Sequence, residues 1–527
     1  MNQRLTIWLT LVRWTLLVLT LVWSLWFVFA GMGNHMDPLY WLYKYEHMEG
    51  GWMAAGTILF GSALVRLFGV RLLLLRLVAW LSVFVAVLCP YCVLLTREQR
   101  LANIHWLALA FGMMGYGAFQ ELSPGTLTVL LLSVTATVAV AWLRRPSVGQ
   151  LIGLGLVAGV AITVRFPNIL VLPVLLTLII VTRWQTTRRL VHPALLLLSV
   201  VAVAALIYGL AALLLSPAPM DAAMNSHQFS RILTALWTKG ALLAGYAVLW
   251  LGIGAVPFLL KQWKENRWVW PLAGLMTGAL LFYYIWYVPL PRQWYNIDLT
   301  YMLSAGLLMW TAATRRRENG WMAAVIIVAA LGTDVGWLKL FPAVIVLLPS
   351  AVAYTESSIR RWLWPVMLGL TAAVMLRFTT NSIGGSNLSK SRVTCSAAPY
   401  TGIRVTEQET EYMAQIKSDY AVFGDTVPVL AVGSDLHLMR ALTGCKAACY
   451  NEFWSNIFDS VYTARYQPVV AQRKPVVFCF FSPQFRTKST YRHRHSAFEE
   501  MLRAEGYEEV DRGRYRYMIY LPGKRNN

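Results

Sequence analysis

Charge is scarce in this chain. Of its 527 residues, 13% are Asp, Glu, Lys or Arg, about half the share of an ordinary soluble protein. Acids are scarcer than bases, 25 against 46, and only 11 of the 25 fall in the first 378 residues. With 57% of the chain hydrophobic, a soluble fold is excluded, and so is disorder, because there is far more apolar surface than a solvated chain carries. No collagen period, sustained heptad or internal repeat is present. His-rich and multi-carboxylate clusters of metal-site spacing are also missing.

What is present falls into two unlike parts. Residues 1–378 carry 27 Lys and Arg in apolar surroundings, and residues 379–527 carry 19, balanced by 14 acids. The net charge of +21 sits mainly in the apolar part, clustered between hydrophobic runs. That is the positive-inside pattern of a membrane protein and not a phosphate-binding stripe, so nucleic acid is not a partner. The opening run from Met1 to Gly31 is too long for a signal-peptide core and lacks a small-residue cleavage site; it reads as an uncleaved first crossing.

Arg4 puts the N-terminus in the cytoplasm. Arg97/Arg100, Arg144/Arg145, Arg183/Arg188/Arg189, Lys261/Lys264/Arg267, Arg315/Arg316/Arg317 and Arg360/Arg361 should share that side. This holds only if residues 51–70, interrupted by Gly56, Gly61 and Arg66, lie along the outer interface instead of crossing. Thirteen crossings then remain, near 6–30, 76–95, 101–118, 124–143, 150–165, 167–183, 190–215, 241–260, 268–288, 297–313, 320–332, 339–355 and 362–378. The expected architecture is a polytopic α-helical membrane protein with transmembrane domain 1–378, a first outer loop 31–75 and a C-terminal extracytoplasmic α/β domain 379–527.

The tail reads as α/β because strand-like runs at 427–433, 475–481 and 515–522 alternate with helical stretches. Cys395, Cys445, Cys449 and Cys479 are an even set for an oxidising compartment, and read equally as small buried apolar residues. Cys445 and Cys449 are close enough in sequence to pair. Gly433, Ser434 and Asp435 mark a strand-to-helix turn, and a lone glycine there is a weak nucleotide signal.

The candidate chemistry lies at the outer turns. The first loop holds Asp37, Glu46 and Glu49. Asp37 is fixed by Pro38 among Tyr40, Trp41, Tyr43 and Tyr45, flat surfaces suited to a sugar or headgroup at an interface; Glu46 and Glu49 read equally as solvated loop charges. Glu121 is the only Asp, Glu, Lys or Arg between Leu101 and Leu143, and a charge at membrane depth is costly unless paired or wet. Arg165 heads the hairpin TVRFPN, where it binds an anion or snorkels. Arg292 and Tyr295, then Asp334 and Lys339, occupy two further outer turns. Outward cations of this kind suit a phosphate group, which Arg binds bidentately.

In order and sidedness, this set resembles the integral-membrane glycosyltransferases of the C-type fold, within them the bacterial relatives of protein O-mannosyltransferases and aminoarabinose lipid A transferases. The resemblance rests on Asp37 early in the first outer loop, on Arg66, Leu67, Phe68 and Gly69 ending the interfacial segment, and on Arg76 leading the next crossing. Glu121 before Pro124, and the glycine-rich helix ending in TVRFPN, complete it. The sequence departs from the family pattern in reading HMDPLYW where paired acids are usual, and in carrying Glu121 where an Asp is usual.

The resemblance implies an enzyme of the bacterial inner membrane with a periplasmic tail. It would move a hexose or pentose from a polyprenyl-phosphate carrier to a lipid, glycan or protein acceptor by an inverting single displacement. Asp37 would be the general base with Glu121 beside it. Tyr40, Glu46, Glu49, Arg76, Arg165, Arg292, Tyr295, Asp334 and Lys339 would bind substrate. No cofactor follows with certainty; a divalent cation serves some members of the class and is absent from others. The competing readings are a transporter or flippase of lipid-linked sugars, which usually shows internal repeats, and an O-antigen ligase or polymerase, which concentrates function in large mid-chain outer loops.

Cysteine-accessibility labelling tests the topology. A probe at position 70 should react from outside the cell membrane; reaction from the cytoplasm alone would overturn the thirteen-crossing reading.

Overall fold

The computed structural model describes residues 3–32, 36–119, 121–183, 190–217, 317–330, 390–424, 427–433, 435–445, 460–480, 498–513 and 515–520, with scattered positions in 237–248 and 343–375. The crossings expected near 241–260, 268–288, 297–313, 339–355 and 362–378 lie wholly or largely outside the described residues.

A chain this apolar satisfies its backbone internally, and in lipid only helices and closed barrels do so. The N-terminal part is accordingly helical: α1 (Gln3–Phe29), α2 (Met36–His47), α3 (Ala55–Phe68), α4 (Leu72–Leu94), α5 (Arg97–Phe119), α6 (Pro124–Arg144), α7 (Val148–Val164), α8 (Val171–Arg183) and α9 (Val191–Leu214). Four described helices are long and apolar enough to cross a bilayer: Thr10–Phe29 within α1, then α4, α6 and α9. Helix α6 starts where Pro124 takes the first position and the Ser123 hydroxyl accepts the Thr126 N–H at 3.4 Å, a start that needs no intrahelical donor from proline. The sixth expected crossing is divided. Phe166–Leu170 forms a 3₁₀ turn, and only then does α8 begin, because Pro167 tolerates the first turn and supplies no N–H.

Small residues let these helices approach. Leu151, Leu154, Gly155, Ala158, Gly159 and Ile162 form the buried stripe of α7, and its two glycines face α9. A Cβ on Gly155 would lie 2.6 Å from Ser199 Cβ and 2.8 Å from Leu196 O; one on Gly159 would lie 2.2 Å from Val203 Cγ1 and 2.9 Å from Val200 O. This four-residue spacing of glycines is a recurrent device for membrane helix pairs, where burial against lipid gives no hydrophobic gain. Polar side chains add interhelical bonds. Trp80 Nε1 donates to Ser24 Oγ at 3.0 Å between α4 and α1, and Ser133 Oγ donates to Ala86 O at 2.6 Å between α6 and α4.

The helix ends sort into two groups. At one end of the bundle the Arg144 guanidinium meets Glu318 through two bonds of 3.0 and 3.1 Å and Leu94 O at 3.0 Å. This gathers the ends of α4 and α6 with the start of α10 (Arg317–Ile327). The opposite end gathers α2 and α3 with the close of α1, the start of α4, the α5–α6 turn and the close of α7. The close of α9 joins it through β1 (Glu49–Gly50) and β2 (Ser216–Pro217), which pair in parallel, with Ser216 N–H on Met48 O at 2.9 Å.

The described part of the tail contains a four-stranded mixed sheet. Strands β5 (Val429–Gly433), β6 (Val476–Phe480), β7 (Tyr507–Asp511) and β8 (Arg516–Tyr520) run in the order β5-β6-β8-β7, the first pair parallel and the others antiparallel. All five residues of β6 are buried, as a central strand covered on both faces requires. A short hairpin, β3 (Val393–Thr394) and β4 (Arg404–Val405), precedes it. Helix α11 (Glu407–Ala421) opens on a capping box in which Thr406 and Glu409 exchange bonds of 3.2 and 2.7 Å. Helices α12 (Leu436–Thr443) and α13 (Ser460–Arg473) follow. Arg512 donates to both Asp419 oxygens at 3.0 and 2.7 Å, and the Tyr515 hydroxyl also donates to that carboxylate. The thiols of Cys395 and Cys479 are free and buried and that of Cys445 is free and partly buried; burial pushes the proton affinity of each upward. The Cys445–Cys449 pairing falls outside the described residues, since Cys449 is among those not described.

Gly159→Val should separate α7 from α9 and cost about 1–3 kcal/mol, the usual range for overpacking. Gly153→Ala, on a face where an added Cβ meets nothing within 4 Å, should be neutral. Thermal unfolding of the detergent-purified protein checks both, and equal midpoints would reject the packing argument.

Candidate functional site

The segment after α1 is mostly helix. Asp37 is the second residue of α2. The main chain just before it is held by Arg76. The guanidinium of Arg76 is fully buried and donates from Nη1 to Gly31 O at 2.8 Å and from Nη2 to Met32 O at 2.9 Å. Tyr400, wholly buried, lies near enough for the Arg76 charge to oppose the rise in proton affinity that burial gives its phenol. Arg76 thus grips the loop main chain and is sealed from solvent.

Helix α2 presents two faces. On one, Tyr45 is fully buried and its hydroxyl donates to Leu122 O at 2.6 Å. Burial, followed by the negative charge of Glu121, raises the proton affinity of this phenol well above the ordinary tyrosine value. It therefore stays a donor at physiological pH. Gly61 of α3 leaves room for the Tyr45 ring, because a Cβ there would lie 2.4 Å from a ring carbon. Glu121, half-buried, is brought beside α2 by this contact, and its own carbonyl accepts the Thr126 hydroxyl at 2.9 Å.

The second face carries Tyr40, Tyr43 and His47. Tyr43 and His47 stack at 4.2 Å, and Lys44 Nζ lies 5.4 Å from the Tyr40 ring centre. Helix α12 of the tail packs here. His437 meets Tyr40 edge-on at 5.3 Å and Tyr43 at 6.1 Å, and the Arg440 guanidinium sits 5.3 Å from the Tyr43 ring centre. The Tyr43 hydroxyl bonds Glu49. Its proton affinity is raised, first by burial, with Arg440 opposing and Glu49 and Glu46 adding to the rise. Glu46 and Glu49, the two further loop acids of the sequence reading, therefore lie close to Tyr43.

Arg165 closes α7. It is 5% exposed, and its Nη1 donates to Ala329 O at 2.8 Å, tying the hairpin to the segment after α10. Asn168, the residue after Pro167 in the hairpin TVRFPN, donates from its amide to Thr128 Oγ1 at 3.0 Å and to Ala161 O at 2.8 Å. Helix α3 is fastened to the same place. The Thr57 hydroxyl donates to Val164 O at 2.9 Å, Gly56 leaves no room for a Cβ against Thr163, and Trp52 meets Phe166 edge-on at 4.6 Å. Arg292, Tyr295, Asp334 and Lys339 lie outside the described residues.

One end of the bundle thus brings together Asp37 in its helix, Tyr40, Glu46, Glu49, Arg76 and Glu121, with Arg165 at the neighbouring hairpin. Sequence reasoning missed His437 and Arg440. Their signal was the amphipathic helix after the turn at Gly433–Asp435, but nothing local tells which surface that helix covers. Among the described residues no group of three His, Cys, Asp or Glu is arranged to hold a metal.

The sequence matches no protein-family model, and no curated protein matches it. Solved structures are similar in fold. One is ArnT from Cupriavidus metallidurans in the apo state, with a TM-score of 0.49, 14% identity, and 98% of each chain covered. Another is the archaeal oligosaccharyltransferase AglB from Archaeoglobus fulgidus, in complex with an inhibitory peptide and a dolichol-phosphate, with a TM-score of 0.44 and 9% identity over 96% of this chain and 74% of that one.

Arg76→Lys keeps the charge but presents a point donor where a fork bridges two carbonyls. It should cost roughly 1.5–3 kcal/mol, the worth of one charge-assisted hydrogen bond, read as a lowered unfolding midpoint in detergent. An unchanged midpoint would remove Arg76 as the clamp of the first loop.

Proposed function

We propose that the chain is a membrane glycosyltransferase that moves a sugar from a polyprenyl-phosphate carrier to an acceptor at the bundle end bearing α2. The observation that carries this reading is the mounting of Asp37. An acid is set in the first turn of a short helix whose entry is gripped by Arg76 and whose far side is tied to Leu122 beside Glu121. A general base needs such fixed placement more than it needs any particular neighbour.

In the transfer, the acceptor hydroxyl or phosphate oxygen attacks the anomeric carbon as the carrier-phosphate oxygen leaves from the opposite face. Asp37 takes the acceptor proton, and the configuration inverts. Glu121, with its charge close to the protonated Tyr45, helps to orient the acceptor. The phosphate that departs needs cations, and Arg292 and Lys339 are our candidates. Arg165 is committed at one nitrogen to Ala329 O, so we assign it first to holding the hairpin that borders the phosphate site. Arg76, fully buried on main-chain carbonyls, is a positioning residue for the loop. Tyr40, Glu46 and Glu49 line the approach to α2.

Two features support membrane placement with α3 along the interface and not across it. Both ends of α3 are fastened at the same end of the bundle, by Thr57 to Val164 and by Gly69 running directly into the start of α4. The cell-envelope compartment, the periplasmic tail, the domain limits 1–378 and 379–527 and the identity of the sugar belong to this proposal as well.

Asp37→Asn is nearly isosteric and takes up no proton. Release of polyprenyl phosphate from a panel of polyprenyl-phosphate-linked hexoses and pentoses should fall by about 10²–10⁴-fold, while carrier binding survives. A variant that kept more than about a tenth of wild-type turnover would remove Asp37 as the base.

A further inference from the structure

The tail has no part in the reaction just described, yet it touches the helix that carries Asp37. Two sets of contacts make the attachment. The first is main-chain: Gly31 N–H donates to Arg404 O at 2.7 Å, and Leu72 N–H to Pro399 O at 3.2 Å. These bonds hold the hairpin β3–β4 against the end of α1 and the start of α4, the two segments that Arg76 also joins.

The second set is made by side chains and falls on α2 itself. His437 and Arg440 of α12 lie against Tyr40 and Tyr43, one helical turn apart, and Leu436, Leu438 and Met439 share a buried cluster with Leu39 and Leu42. Helix α12 is itself held at both ends. Asp435 at its start accepts the Tyr412 hydroxyl at 2.5 Å, and Gly444 closes it with φ 64° and an N–H bond to Arg440 O at 2.9 Å. The second aromatic of the pair, Tyr43, is also bonded to Glu49. A cation over an aromatic face, removed from bulk water, is worth more than an exposed one.

We propose that α12 is the outer wall that fixes α2, with His437 and Arg440 as positioning residues for the reaction at Asp37. The inference rests on the reading of Asp37 as the base. It assigns the α/β tail a part in turnover: α11 holds α12 through the bond from Tyr412 to Asp435, and α12 holds the helix on which the acid is mounted. A misplacement of about 1 Å at a reacting group costs up to 10²-fold in rate, so a loosened α2 lowers kcat without touching the carrier.

The test uses the full chain in detergent and reads two quantities. Arg440→Met and Tyr43→Leu should each raise hydrogen exchange over residues 36–47 about tenfold and lower kcat by ten- to a hundredfold, with KM for a polyprenyl-phosphate-linked sugar unchanged. The double variant should be no worse than either single one, because both remove the same contact. Arg440→Lys, which keeps a cation over the ring, should restore most of the rate. Arg404→Ala, whose link to Gly31 runs through the main chain, serves as the control and should leave both quantities unchanged. Exchange over 36–47 equal to that of the wild type would overturn the proposal, as would a raised exchange with unchanged kcat. If exchange rises while Asp37→Asn stays active, the contact stands and the assignment of the base falls.

Discussion

A cation sealed in an apolar bundle must be surrounded by oxygen, and main-chain carbonyls at a helix end can supply it. Arg76 takes it from Gly31 and Met32. Much of the Asp37 end depends on this choice. The carbonyls exist to be bonded only because α1 has just ended and its last groups lack helical partners, so one side chain satisfies the helix terminus, anchors the start of α4 and sets where α2 begins.

The same economy appears at the other end of the bundle. Arg144 bridges Glu318 and Leu94 O, joining α4, α6 and α10 around one guanidinium. Back at the Asp37 end, Arg165 binds Ala329 O. Arginine suits these places because its fork reaches several acceptors on different elements at once, with a fixed geometry that lysine lacks. Arg76, Arg144 and Arg165 thus act first as fasteners of helix ends.

Much of the helical part was legible in the sequence because bilayer thickness fixes the length of an apolar run. The runs read at 76–95, 124–143 and 190–215 became Leu72–Leu94, Pro124–Arg144 and Val191–Leu214. Three of the four strands of the tail's sheet were legible from apolar runs between turns; β7 was not. Its YEEVD carries three acids and no alternation, and it is a strand because it lies at the sheet edge beside β8. Helix α2 was read as a loop with an aromatic platform. Tyr40, Tyr43, Lys44 and His47 do fall at helical spacing, but the segment was read by its charges and aromatic residues and not by that spacing. What the sequence withheld was non-local: that Tyr45 reaches Leu122, that Gly61 is hollow for its ring, and that α12, some four hundred residues later, covers the other face. A local pattern names a face; only the fold says what meets it.

The bonds from Gly31 to Arg404 O and from Leu72 to Pro399 O involve no side chain at all. A joint of this kind reads spacing, not spelling. Substitutions at Leu72 and Arg404 leave its donors and acceptors in place provided the backbone shape is kept, so a scan of point changes would register it mainly at Gly31, whose φ of 82° resists a side chain. Loss or gain of a single residue between Cys395 and Arg404 would shift every acceptor by one step along the hairpin. The coupling of the tail to the helical part is therefore written in chain length, where alignments of residue identity do not look.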